Sequence, residues 1–256
     1  MDKKIIMLTG GGPSTTFMYN GIKDSFDIST VILEEGSSIK KFIKRRIKRL
    51  GYIKVFGQLL FQTTIPKILH RISQKRIKEI MSEYNLEDNK IPDSVILNVT
   101  SVNSSDCIEF LKKEKPDLII VNGTRIISKK VLNCTDAIFI NTHAGITPKY
   151  RGVHGGYWAL ANNDRDNCGV SVHLVDSGID TGGVLFQENI SPIKKDNFST
   201  YPYLQIGEGI LLMKKAITKF MSDELKEVSP RVSESTLWYH PTIWYYLSKR
   251  IFKGVR

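Results

Sequence analysis

The fold class this sequence predicts is α/β, with a mostly parallel sheet flanked by helices. Three observations predict it. Short apolar runs rich in Ile and Val recur along the chain, separated by stretches of helical period. Several of these runs are apolar almost throughout, as strands covered on both faces are. The first run ends in Gly10-Gly11-Gly12-Pro13 and leads into a helical pattern, the β-α-β opening of a doubly wound sheet. At 256 residues, one large domain or one domain plus an extension is expected.

Each element can be justified in order. Residues 4–9 form a first strand, 16–26 a helix and 29–33 a second strand. From residue 38 to about 84 the chain changes character. Ile39, Phe42, Ile43, Ile47 and Leu50 recur at helical spacing, with cations on the other face. Gly51 and Gly57 interrupt this pattern, an apolar Phe56-to-Phe61 stretch precedes Pro66, and a second basic helix is expected from Lys67 to Tyr84. This region is read as a helical insert packed on the domain rather than lying on a membrane. Residues 94–99 give a third strand. Ser105 is the expected cap of a helix over 106–114, which Pro116 ends. Residues 117–121 and 137–141 are further strands, with a short helix from Ser128 between them. A helix begins at 157–162, strand 169–175 has 183–188 as its expected antiparallel partner, and 203–221 is helical in pattern. The domain is expected to span residues 1–220, with 221–256 as an aromatic extension for packing or dimerisation.

The formal charge is +11, from 37 basic and 26 acidic residues. Lys40, Lys41, Lys44, Arg45, Arg46, Lys48 and Arg49 form a run with no acid inside it. Such a run suits an anionic partner such as nucleic acid, a membrane surface or a phosphorylated substrate. It equally suits a solvated helix face. Cys107, Cys134 and Cys168 have neither metal spacing nor even pairing, and read as reduced thiols of a cytoplasmic protein. Lys3 and Lys4 precede an apolar run too short for a signal sequence, and no stretch approaches a membrane span.

The chemistry-bearing pattern is Asn141-Thr142-His143 at a strand end, with Asp180 further on. Residues two apart on a strand share a face, so the amide and imidazole point the same way. Strand ends are where open α/β sheets bind ligands. The Gly10-Gly11-Gly12 loop is not G-x-G-x-x-G. With Glu34 and Glu35 downstream it gives a weak dinucleotide signal, balanced by the reading of a tight turn. His70 and His240 have no partner visible in sequence. His154 lies in a Gly-rich loop and is a candidate substrate contact. His173, on an alternating strand, reads as a structural, hydrogen-bonded histidine. No cluster has zinc spacing and no serine has a nucleophile-elbow context, so no metal is expected.

Asn141-x-His143, Pro148-Lys149-Tyr150-Arg151-Gly152 and Gly169-Val170-Ser171-Val172-His173 with Asp180-Thr181-Gly182-Gly183 together resemble the formyltransferase superfamily. The match is close from about Leu118 to Glu188 and loose over the opening. The resemblance implies a Rossmann-like formyltransferase fold, 10-formyltetrahydrofolate as cosubstrate and an amine as acceptor. It implies that Asn122, Gly123, Thr124, Arg125 and Ile126 hold the pterin, with Asp176 and Ile179 closing the other side. Gly11, Gly12, Tyr150, Arg151, His154 and Trp158 are the expected acceptor contacts. His143 would assist proton transfer, for ~10²–10⁴-fold. Asn141 would donate to the developing oxyanion, for roughly 3–4 kcal/mol. Asp180 would orient His143 and favour its protonated form. Many superfamily members have a serine soon after the histidine. Ala144-Gly145 stands there in this chain.

Within the superfamily, the transfer-RNA enzyme has a further C-terminal domain, for which residues 221–256 are too short. The glycinamide ribonucleotide enzyme is compact, lacks such an insert and has a different phosphate loop. The expectation is therefore a dTDP- or GDP-linked amino dideoxy sugar as acceptor, in O-antigen or other surface-polysaccharide synthesis, by a homodimer. Formylation of glycinamide ribonucleotide or methionyl-tRNA, a formyl-folate hydrolase, and a nucleic-acid-binding protein built on the basic insert remain open.

Overall fold

The computed structural model describes residues 3–36 and 39–256, except the side chains of 39–42. The chain runs β1 (Ile5–Thr9), α1 (Pro13–Lys23), β2 (Ile28–Glu34), α2 (Ile39–Leu50), α3 (Tyr52–Ile72), α4 (Gln74–Glu83), β3 (Ile96–Val99) and α5 (Ser105–Glu114). It continues through β4 (Leu118–Asn122), α6 (Lys129–Leu132), β5 (Ile138–His143), β6 (Arg151–Gly152) and α7 (Gly155–Ala161). It closes with β7 (Gly169–Leu174), β8 (Val184–Asn189), α8 (Tyr201–Met221), β9 (Leu237–Trp238) and α9 (Ile243–Lys253).

Among the described residues, seven strands form the main sheet in the order β3-β2-β1-β4-β5-β7-β8. The first five are parallel; β7 runs antiparallel to β5, and β8 antiparallel to β7. The winding reverses between β1 and β4, so loops diverge there and leave a crevice at the strand ends. The central strands β1 and β4 are buried on both faces, which is why they read as continuous apolar runs. Ile5, Met7, Ile120, Ile140 and Val172 face α1 and α8. Ile6, Leu8, Ile119, Val121 and Phe139 face α5 and α6.

Several boundaries differ from the expected ones. Helix α1 starts at Pro13, where a proline costs nothing because that N–H has no helical partner, and it ends at Lys23. Ser104 rather than Ser105 caps α5, its side chain accepting from the Cys107 amide. Strand β5 runs on to His143 because β7 supplies antiparallel partners there. Among the described residues the insert has three helices, and Pro66 lies inside α3, so the helix expected from Lys67 to Tyr84 is instead the end of α3 followed by α4. The Ser199 hydroxyl donates to the Pro66 carbonyl, holding that turn against the domain.

The insert is bolted down. Arg76 makes a two-pronged bond to Asp196, at 2.9 and 3.2 Å, and the Asp196 side chain has no exposed surface. Asn197 donates to the Ser73 hydroxyl at 2.8 Å. Phe61 of α3 enters an aromatic cluster with Tyr157, Trp158, Phe198 and Tyr246. Its ring meets Phe198 edge-on at 4.8 Å, an arrangement typically worth about 0.5–1.5 kcal/mol beyond burial.

Candidate active site

Strands β5 and β7 bring the polar groups together. The pleat places Asn141 and His143 on one face of β5. The antiparallel register sets His173 opposite Asn141 and Ser171 opposite His143. The His173 ring donates from Nδ1 to the Leu174 carbonyl at 2.6 Å. In the neutral ring, Nε2 is then bare and accepts from Asn141 Nδ2 at 3.2 Å. These partners fix which way the amide faces. One of its two N–H bonds is spent on His173, and the other is left for the cleft.

Asp180 reaches the same place from a tight loop. Asp176 Oδ1 accepts from the Gly178 amide at 2.9 Å and the Thr181 hydroxyl at 2.6 Å. This winds residues 176–181 tightly and leaves Asp180 in the left-handed region, at φ 51°. Asp tolerates that region better than most residues. Arg151 Nη1 donates to the Ile179 carbonyl at 2.9 Å, and the Gly152 amide to Asp180 Oδ2 at 2.9 Å. The carboxylate lies 3.4 Å from His143 Nδ1 and 3.6 Å from His173 Nε2. Burial alone would raise the Asp180 pKa. The charge of the neighbouring imidazoles when protonated, His143 first and then His173, and the Gly152 amide outweigh it and hold the pKa down at about 2.

His143 is fixed from both sides. Its Nε2–H donates to the Tyr150 carbonyl at 2.7 Å. Nδ1 therefore faces Asp180 without a hydrogen. Burial pushes the imidazole pKa down while Asp180 pulls it up, and the net shift is downward. The resting ring is neutral, with a bare nitrogen beside an anion that would stabilise a proton arriving there.

This group forms part of a cleft of about 340 Å³. Gly123, Thr124, Arg125 and Ile126 line one side of it, and Asp176 and Ile179 also line it. Glu34, at the end of β2, holds the Arg125 side. Its carboxylate accepts from the Arg125 amide at 2.7 Å, the Val102 amide at 3.2 Å and the Arg125 guanidinium. Glu34 is thereby committed to the loop and is not a free ribose-binding acid. Gly10 permits the loop's approach, because a Cβ there would lie 2.2 Å from the Gly123 carbonyl.

The expected acceptor contacts are placed differently. The Tyr150 side chain is buried and its hydroxyl donates to Asp164 at 2.7 Å; its carbonyl, not its ring, reaches the site. Trp158 is buried, donates to the Tyr239 carbonyl and stacks on Trp238 at 4.5 Å. His154 is bonded to His240 at 2.9 Å, which gives His240 a role the sequence did not show. Arg151 acts on the Asp180 loop. Gly11 donates to the Thr9 hydroxyl and Gly12 is the residue that caps α1, and neither lines the cleft. Asn122 also lies off the cleft, its side-chain oxygen accepting from Ser14 and Thr15. Gly152 and Val153 line the cleft instead. Gly145 follows from crowding: a Cβ there would be 2.4 Å from the Tyr150 carbonyl that His143 uses.

Sequence reasoning missed His173, Glu34 and the Gly152 amide as parts of the site. The available signal was on β7, where Ser171 and His173 are the polar members of an alternating strand. Among the described residues, no group of three His, Cys, Asp or Glu side chains is placed to hold a metal. No described helix is long and apolar enough to cross a membrane.

A strand-end cleft bearing an amide, an imidazole and a carboxylate on a Rossmann-like sheet defines a class, and comparison with known proteins identifies it. The formyl transferase family matches residues 37–203, and the chain belongs to that family. The methionyl-tRNA formyltransferase of Kosmotoga olearia is 29% identical over 168 residues, 65% of this chain and 50% of that one. The chain spans about half the length of the first curated relatives it matches. Glycinamide ribonucleotide transformylase 1 from Symbiobacterium toebii shares the fold at a TM-score of 0.57 and 17% identity, over 92% of this chain and 94% of that one. The N-formyltransferase from Helicobacter canadensis, solved with folinic acid and dTDP-3-aminofucose, does so at 0.55 and 14%, over 92% and 70%.

Proposed function

We propose that this protein transfers the formyl group of 10-formyltetrahydrofolate to the amino group of a nucleotide-linked amino dideoxy sugar. The observation that carries the reading is the convergence of Asn141, His143 and Asp180 in one cleft, beside a loop anchored by Glu34. The neutral amine attacks the formyl carbon. The free Asn141 N–H stabilises the oxyanion that forms. His143 Nδ1 takes the proton released by the amine, directly or through water, and Asp180 Oδ2 stabilises the imidazolium. Collapse of the intermediate breaks the carbon–nitrogen bond to the folate, whose nitrogen recovers a proton. Residues 1–220 are proposed as the catalytic unit and 221–256 as a closing segment. Three free thiols support a cytoplasmic enzyme.

The sugar reading is supported by the fold shared with a relative solved with an amino sugar nucleotide. The curated relatives named for methionyl-tRNA favour a second reading, in which the basic insert meets RNA. An acceptor screen with formyl-folate separates the two. Its candidates are dTDP- and GDP-linked 3-amino and 4-amino dideoxy sugars, UDP-amino sugars, glycinamide ribonucleotide and methionyl-tRNA. A sugar nucleotide gaining the mass of one CO unit is expected. His143→Ala should abolish that gain and leave the fold unchanged. Turnover with methionyl-tRNA alone would overturn the sugar assignment, and unimpaired turnover by His143→Ala would overturn the mechanism.

A further inference from the structure

The chain's positive charge is concentrated in two stretches. Residues 39–78 contain 13 Lys and Arg and no acid, and residues 235–256 contain four and none. These stretches hold 17 of the 37 basic residues, leaving 20 basic against 26 acidic in the rest of the chain. The fold brings the two stretches together. Helix α9 packs along α3, with the Trp244 ring seated on Gly57, where a Cβ would be 2.1 Å from the ring.

Both helices send one side inward, Phe61 from α3 and Tyr246 from α9. Their other sides remain apolar and open. Tyr52, Ile53 and Phe56 on α3 are 77%, 79% and 63% exposed. On α9, Trp244, Ile251 and Phe252 are 46%, 72% and 82% exposed. Spacings of four, seven and eight residues align these side chains as a stripe on each helix. A groove of about 910 Å³, larger than the cleft at Asp180, runs between the start of α3 and α9. Exposed apolar surface of this extent marks an interaction site.

We propose that this face docks on a membrane surface rich in anionic phospholipids, with α3 and α9 lying in the plane of the interface. The Ile and Phe side chains would sit below the headgroups, Tyr52 and Trp244 at headgroup depth, and the cations against lipid phosphates. Charge complementarity selects this occupant. A second copy using the same patch would oppose two acid-free cationic surfaces. Nucleic acid would meet the cations and could stack on the exposed rings, but it would leave the aliphatic Ile53 and Ile251 in water, where a bilayer interface covers them with the rings. The proposal stands independently of the reaction assigned above.

Vesicle flotation with the full-length chain tests it. The protein should float with phosphatidylcholine vesicles containing phosphatidylglycerol and stay behind with phosphatidylcholine alone. Ile251→Asp/Phe252→Asp, at the two most exposed apolar positions of α9, should retain the wild-type melting temperature and lower partitioning by about tenfold or more. Lys44→Glu/Lys48→Glu should do the same, and added salt should release the wild type. Three results would overturn the proposal. One is no flotation with anionic vesicles. Another is equal flotation of wild type and the Ile251/Phe252 variant. The third is a dimer in light scattering, broken by that variant, in a protein that ignores vesicles. Tight single-stranded RNA binding by a chain that does not float would assign the face to nucleic acid instead.

Discussion

His173→Leu isolates the group that aims the amide. In the structure His173 Nε2 accepts from Asn141 Nδ2 at 3.2 Å while Nδ1 is anchored on the Leu174 carbonyl. Leucine fills a similar space and accepts nothing, so the amide loses what distinguishes its two ends. A hydrogen bond of this kind contributes about 1 kcal/mol net, which changes the ratio of the two amide orientations by about fivefold. With the two orientations then equally populated, the productive fraction falls by roughly twofold, the smallest expected effect. The largest is complete loss of an oxyanion donor, ~10²–10³ in kcat. The expectation is therefore a fall in kcat between these bounds, with KM for donor and acceptor changed by no more than about twofold, because ground-state binding does not use this bond. Steady-state kinetics with the acceptor found in the screen gives both numbers. His173→Gln, whose side-chain oxygen can accept, should recover part of kcat. In an Asn141→Ala background, His173→Leu should cost little more, since contacting residues of one network are not additive. Full kcat in His173→Leu, or effects that simply multiply in the double variant, would refute the reasoning.

Two further outcomes follow from groups outside the reacting atoms. Glu34→Gln leaves one oxygen where two accept from the Arg125 and Val102 amides, so a buried N–H loses its partner at about 1–3 kcal/mol. It should lower the melting temperature and raise KM for the formyl donor more than it lowers kcat; an unchanged donor KM would detach Glu34 from the cleft. Burial drives the pKa of His154 down to about 3 and that of His240 to about 4, so in the native state both stay neutral well below the value of about 6.5 at which the unfolded chain takes up these protons. Stability is then greatest above pH ~6.5 and falls as pH drops, by up to about 1.4 kcal/mol per histidine per pH unit, or about 2 kcal/mol each by pH ~5. Urea midpoints measured near neutrality and near pH 5 should show the loss, and His240→Asn should reduce it by roughly half.

The reach of the sequence follows from what each group needs. The strands were legible because burial on both faces writes itself as an apolar run, and Asn141 and His143 because period 2 places them together wherever β5 lies. Pro66 misled because local chemistry says break, while α3 is held by long-range contacts from Ser199 and the aromatic cluster. Asn141 and His173 are 32 residues apart, and only the β5–β7 register makes them neighbours. The case of His143 goes further. Of its two ring partners, Asp180 is a side chain and can be recognised by type. The other is the Tyr150 carbonyl, which every residue carries and no substitution removes. The Gly152 amide that holds Asp180 is likewise a main-chain group, one that only proline lacks. A side-chain scan of this site would find the amide, the imidazole and the carboxylate. It would miss part of what keeps the imidazole in place, unless it included Gly145, where added bulk meets that carbonyl directly.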